Sequence, residues 1–179
     1  MRESRSRADD TDFEMDDEAS SPIDVFELLK ADHRQVEDLL TKFEHADKRT
    51  RSTIADETLN GLEVHTALEE ELVYPAIAEV VEDKEMVNEA KEEHHVAKLL
   101  IKELRKMHAG EDEFATKFKV LGEIVKHHIE EEEGEIFPQA EEGGLEKDEL
   151  SENVVKRKEK LMQKYTGGKK AGPRRKKAA

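Results

Sequence analysis

Four stretches of this chain repeat apolar residues at spacings of three and four, and that periodicity confines it to helices packed along narrow seams. The first carries Phe26, Leu29, Val36, Leu40 and Phe43, and the second Ile54, Leu62, Leu72 and Ala76. The third carries Val87, Ala90, Ala97, Ile101 and Leu104, and the fourth Phe114, Phe118, Leu121 and Val125. Residues so spaced share one helix face, which must find a partner. With only 35% of residues apolar and 42% charged, the chain can supply such stripes but not a sheet covered on both faces. In SSPID a Ser cap and Pro22 open the first helix; the second starts near Ser52, the third near Lys84 and the fourth after the break at Gly110. The expected fold class is all-α, an up-down-up-down four-helix bundle, with room for one short C-terminal helix near Lys147 to Lys164.

Charge marks the ends. From Lys156 to Ala179 there are eleven Lys or Arg against the single acid Glu159, a charge of +10, so the rest carries −25 of the net −15. The expected organisation is an acidic disordered segment at 1–20, the bundle at 21–141, the extra helix at 142–165 and a basic disordered tail at 166–179. TGGKKAGPRRKKAA lacks aromatics, so nucleic acid is not an expected partner beyond weak contact through that tail. The first residues lack the apolar run of a secretory leader, and no stretch nears the ~20 apolar residues of a membrane span. The expectation is a cytoplasmic protein without a membrane partner.

Four histidines interrupt the apolar seams, one per helix: His33, His65, His94 and His128. His45, His95 and His127 fall among charged residues and read as solvated, and His108 falls near a helix end. Glu69 and Glu132 follow His65 and His128 by one helical turn and face the same interior. The strings HTALEEELVYP and HIEEEEGEIFP repeat this pairing of His, Glu and a trailing Pro. His33 stands 32 residues before His65 and His94 stands 34 before His128, so the chain reads as two similar helical hairpins.

A buried carboxylate costs several kcal/mol unless paired or metal-bound, and no Lys or Arg shares these seams beside the histidines. The chain has no Cys, which removes thiolate ligands, disulfides and thiol chemistry. Imidazole with carboxylate suits iron, manganese or zinc. Two such hairpins packed together would enclose a pseudo-symmetric site for two ions. Tyr74, nine residues after His65, is expected on the far side of its helix, packing outside the site. Pro75 and Pro138 are expected to kink or end their helices. In the run Glu130 to Glu133 only Glu132 is expected to point inward; Glu70, Glu71 and Glu131 are candidates to bind imidazole N–H groups.

DHRQVEDLL, HTALEEELVYP, EEHHVAKLL and HHIEEEEGEIFP resemble the hemerythrin-like, or HHE cation-binding, family in its bacterial form, over residues 22–140. The resemblance implies a bundle holding two non-haem iron ions bridged by carboxylates. His33, His65, His94 and His128 would be the imidazole ligands, and Glu69 and Glu132 the bridges. Oxygen carriers of this kind have a further His four residues after the third-helix ligand, where this chain has Lys98. Such a centre would leave about two of roughly twelve coordination positions open. The implied ligands are dioxygen, peroxide or nitric oxide, with peroxide decomposition as an enzymatic reading and non-catalytic iron binding or oxygen and redox sensing as the alternative. A ferritin-like site is set aside because its Glu-x-x-His order is the reverse of the order here.

Overall fold

The computed structural model describes residues 24–167. The chain enters α1 (Val25–His45) through Asp24, whose carboxylate accepts the Phe26 N–H at 2.8 Å. Asp24, rather than the preceding serine, is therefore the cap, because its side chain satisfies one of the orphan donors of the first turn. Helix α2 (Lys48–Leu68) starts earlier than the expected Ser52, since Asp47 accepts from the N–H groups of Arg49 and Thr50 at 3.0 and 2.8 Å. It runs through a π-helical turn (Glu69–Val73) into α3 (Tyr74–Val80). The second hairpin repeats this plan: α4 (Glu85–Leu104) leads to α5 (Asp112–Glu131), which passes through a π turn (Glu132–Ile136) into α6 (Phe137–Glu142). The result is an up-down-up-down bundle of four rods.

The expected additional helix forms as α7 (Asp148–Gly167) and packs across α1, α2 and the first π turn. The turn into it closes α6 with Leu145 N–H bonded to the Ala140 carbonyl at 3.0 Å and Gly144 at φ +80°. That left-handed position admits glycine without strain. Gly143 has a different need: a Cβ there would stand 2.5 Å from the Val80 carbonyl oxygen, where α6 passes the end of α3.

The bundle interior is layered along its length. One apolar cluster gathers Phe26, Leu29, Leu68, Tyr74, Ile77, Val87 and Phe137, with Val154 of α7 added to it. A second gathers Val36, Leu40, Phe43, Leu59, Ile101, Phe118 and Leu121. His33 lies between Leu29 and Val36 on α1, so a polar belt crosses the bundle between two apolar plugs. No helix among the described residues is long and apolar enough to cross a membrane. The segment read as an acidic disordered tail and residues 168–179 of the basic one lie outside the described residues, while Thr166 and Gly167, read as the start of that tail, continue α7.

Candidate metal centre

Each rod delivers its histidine to the belt because that histidine occupies a seam position. His33 is 2% exposed, His65 5%, His94 2% and His128 6%, while Glu69 and Glu132 are fully buried. His45, His95 and His127 are exposed, as their charged neighbours predict, and so is His108, beyond the end of α4. The structure thus brings His33, His65, Glu69, His94, His128 and Glu132 together and leaves the other four histidines at the surface.

The six side chains form two joined groups. His33 Nε2 and His65 Nε2 are 3.0 Å apart, as are His94 Nε2 and His128 Nε2. Glu69 spans both pairs, with Oε1 3.1 Å from His65 Nε2 and Oε2 3.4 Å from His94 Nε2. Glu132 Oε2 lies 3.3 Å from His33 Nε2 and 3.4 Å from His128 Nε2. Donors held about 2.1 Å from one ion at right angles are about 3 Å apart, so this spacing is that of a ligand set.

The two glutamates open the two π turns, and each turn resets the facing of the helix beyond it. The Tyr74 N–H bonds to the Glu69 carbonyl and the Phe137 N–H to that of Glu132, five residues back in each case. A π turn takes one residue more than an α turn, so later side chains are rotated back by about 100°. The buried stripe therefore passes from Glu69 to Val73, Tyr74 and Ile77, and not to Leu72 and Ala76. Tyr74, expected outside the site, is fully buried in it: its hydroxyl donates to Glu132 Oε1 at 2.7 Å and lies 3.3 Å from Nε2 of both His94 and His128. Pro75 and Pro138 neither end nor break their rods, because each falls in the first turn of the helix after the π turn.

A carboxylate faces the outer nitrogen of every histidine. Nδ1 of His33 is 2.8 Å from Glu133, that of His94 3.2 Å from Glu70, and that of His128 2.7 Å from Glu93. Asp32 stands 3.8 Å from His65 Nδ1, beyond hydrogen-bonding range. Such bonds place the proton on Nδ1 and turn the Nε2 lone pair inward. Of the acids expected in this role only Glu70 has it. Glu71 pairs instead with Arg157 at 2.6 and 2.9 Å, and Glu131 with His127 at 3.2 Å. Glu133, expected to be solvated, is half-buried and reaches His33. The signal for the others was the repeat itself: Asp32 and Glu93 each precede the lone histidine of their hairpin, and Glu70 and Glu133 each follow the central glutamate.

Buried this closely, the six groups share charge. Burial lowers the basicity of His65, but Glu69, Asp32 and Glu132 together outweigh it and hold the imidazole up at about 10. His128 is raised against burial by its bond to Glu93 and by Glu132. His94 falls to about 2, through burial and the charge on His128. Burial and Glu132 raise Glu69, whereas His33, His128 and His65 overcome burial to hold Glu132 down at about 2.

The residues present fit a metal. Both oxygens of Glu69 and Oε2 of Glu132 are buried without a hydrogen-bond partner, an unfavourable arrangement for a carboxylate unless a cation meets it. The nitrogen and oxygen donors suit iron, manganese or zinc. His33, His65, Glu69 and Glu132 could hold one ion, and Glu69, His94 and His128 another, the donor atoms of each group lying within 4.8 Å of one another. Glu93, His127 and Glu131 also lie within that distance, at the surface. Beside the belt, Val36, Leu62, Ala97, Val125 and Ile129 help line a cavity of about 20 Å³, room for one water-sized molecule.

The fold is shared with a solved structure, that of a hemerythrin HHE cation-binding-domain-containing protein from Mycobacterium kansasii. The two are 24% identical and superimpose with a TM-score of 0.69 over 79% of this chain and 89% of that one. No curated protein matches the chain. The model of the hemerythrin HHE cation binding domain matches residues 24–140, the two hairpins that carry all six convergent side chains, and the chain belongs to that family.

Proposed function

We infer that residues 21–141 form a non-haem di-iron unit, with His33 and His65 serving one iron, His94 and His128 the other, and Glu69 and Glu132 bridging them. The observation that carries this reading is Glu69: fully buried, unpartnered, and offering one oxygen to each histidine pair. The protein is read as a cytoplasmic one that binds or reacts with dioxygen, peroxide or nitric oxide. The cavity of about 20 Å³ supports small molecules of that size and no larger substrate.

Bound iron would supply the electrons and the Lewis acidity for such chemistry. The chain's own residues do the rest. The two apolar plugs keep bulk water from the belt, which strengthens every electrostatic interaction within it. Glu133, Glu70 and Glu93 hold the imidazoles of His33, His94 and His128 in one tautomer and orientation. Tyr74 brings the only hydroxyl that bonds to the six central side chains among the described residues, at 2.7 Å from Glu132, and can hand a proton to a small molecule in the belt. Lys98, where a carrier has a further imidazole, is half-exposed and turned outward to Glu70, so it adds no donor to the belt. This favours turnover of peroxide to water and dioxygen over storage of dioxygen.

Metal analysis and an oxygen electrode test the reading. Freshly purified protein is expected to carry two irons per chain, and iron-loaded protein to evolve oxygen from hydrogen peroxide. Metal-free protein and the His128→Ala variant should not. Equal oxygen evolution by all three would remove the catalytic reading, and with two irons bound would leave a non-catalytic binding or sensing protein. Absence of iron from protein that holds manganese or zinc tightly would remove the di-iron reading itself.

A further inference from the structure

The two hairpins repeat one another, but α7 packs across the first, and the symmetry of the belt fails where it does so. His65 and His128 are counterparts, each on the second helix of its hairpin and each faced by the acid that precedes the lone histidine. His128 Nδ1 meets Glu93 at 2.7 Å, whereas His65 Nδ1 stands 3.8 Å from Asp32 and is buried without a hydrogen-bond partner. Asp32 is engaged elsewhere: the Lys158 ammonium on α7 takes both of its oxygens, at 2.5 and 2.7 Å.

A neighbouring cation does not by itself draw the acid off. Glu70 binds Lys98 and still lies 3.2 Å from His94, and Glu133 binds Arg34 and still lies 2.8 Å from His33. Asp32 differs in giving both oxygens to one lysine, on a side chain one methylene shorter than glutamate. Lys158 is held in place by its own helix, which buries Val154 completely and clamps Glu71 through Arg157 at 2.6 and 2.9 Å.

We propose that Lys158 is a positioning residue that holds Asp32 off His65 and so makes the His33/His65 position the more weakly donating half of the metal centre. The inference rests on the di-iron reading above. An imidazole whose N–H is bonded to a carboxylate is the more basic ligand, and loss of such a bond typically changes metal affinity by about 10–100-fold. The iron at His33 and His65 is therefore the one more easily withdrawn, and α7 sets that difference.

The test is iron withdrawal from loaded protein by a chelator, followed by metal content and by the visible spectrum. Wild-type protein should lose its two irons in two phases. Lys158→Met frees Asp32 to close the gap to His65 and should slow the faster phase about tenfold, with a shift in the visible bands. Lys158→Arg, which keeps a cation on Asp32, should behave as wild type. Arg157→Met removes the adjacent α7 clamp and an equal charge, and should leave both phases in place. In Lys158→Met with Asp32→Ala the slowing should vanish, because the acid that would bond His65 is gone. Unchanged phases in Lys158→Met would show that Asp32 is too short to reach His65 and would overturn the proposal. Slowing that persists without Asp32, or that Arg157→Met reproduces, would assign the effect to charge or to packing and overturn it equally. Wild-type protein that binds no iron would remove the di-iron reading as well, whereas two irons lost in a single phase would overturn this proposal alone.

Discussion

The Tyr74 hydroxyl donates to Glu132 Oε1 at 2.7 Å, while Phe137, at the matching place after the second π turn, has no hydroxyl to give Glu69. Phe137 instead stacks on Phe26 with ring centroids 4.4 Å apart, and its ring lies parallel to that of His33 at 6.2 Å. The two halves of the belt thus differ in hydrogen bonding at their centre as well as at Lys158. In metal-free protein, Tyr74→Phe should leave a buried carboxylate oxygen without its donor and cost about 1–3 kcal/mol. Urea unfolding of chelator-treated protein would measure it, and no loss of stability would show that Glu132 finds another donor.

The proposed ligand set separates neighbours in sequence. Glu69→Ala, His65→Ala and His128→Ala should each lower bound metal and, in loaded protein, lower the melting temperature, because metal that binds only the folded state adds to its stability. His127→Ala and His95→Ala should change neither, since both side chains are exposed. Metal analysis of the five variants decides it. Loss of metal from His127→Ala with retention in His128→Ala would invert the assignment.

Helix geometry decides how much of this could be read beforehand. His33, His65, His94 and His128 were legible because α-periodicity holds without interruption up to each of them. Tyr74 was not, since nothing in its own position reveals that a π turn lies between it and His65. A proline after an aromatic in both hairpins was the visible trace, because a ring without an N–H sits more easily after a widened turn than within a regular one. Asp32, Glu93 and Glu133 were concealed differently. In a chain with 42% charged residues an acid beside a seam histidine resembles any solvated acid, and only its recurrence in both hairpins sets it apart.

Gly143 offers a test of the fold away from the metal. A methyl group there would meet the Val80 carbonyl at 2.5 Å, and backbone cannot yield as a flexible side chain can. Gly143→Ala should destabilise the chain by about 1–3 kcal/mol and leave iron content at full loading unchanged. Gly134 is the control, because a Cβ there meets nothing within 4 Å. Thermal unfolding of both variants side by side would measure the difference, and equal melting temperatures would show that α6 can move away from α3.

Acid should weaken the attachment of α1 to the α6–α7 turn as Asp24 takes up a proton. Asp24 caps α1 and is joined to Lys147, whose ammonium also binds Glu141 at 2.8 Å. Partial burial works against the Asp24 carboxylate, but Lys147 and the Phe26 N–H overcome it and hold Asp24 below its ordinary 3.8. A group whose folded value lies below its unfolded one stabilises the fold above the unfolded value and loses that contribution as pH falls through the folded one. The contribution should therefore be intact above pH 3.8 and disappear below it. Asp24→Ala should cost about 1 kcal/mol at neutral pH, the usual loss for an N-cap, and the gap to wild type should close at acid pH. Urea midpoints for metal-free wild type and variant from neutral pH down to about pH 3 would record it. A gap that stayed constant across that range would show that the cap works through packing and not through the ionised carboxylate.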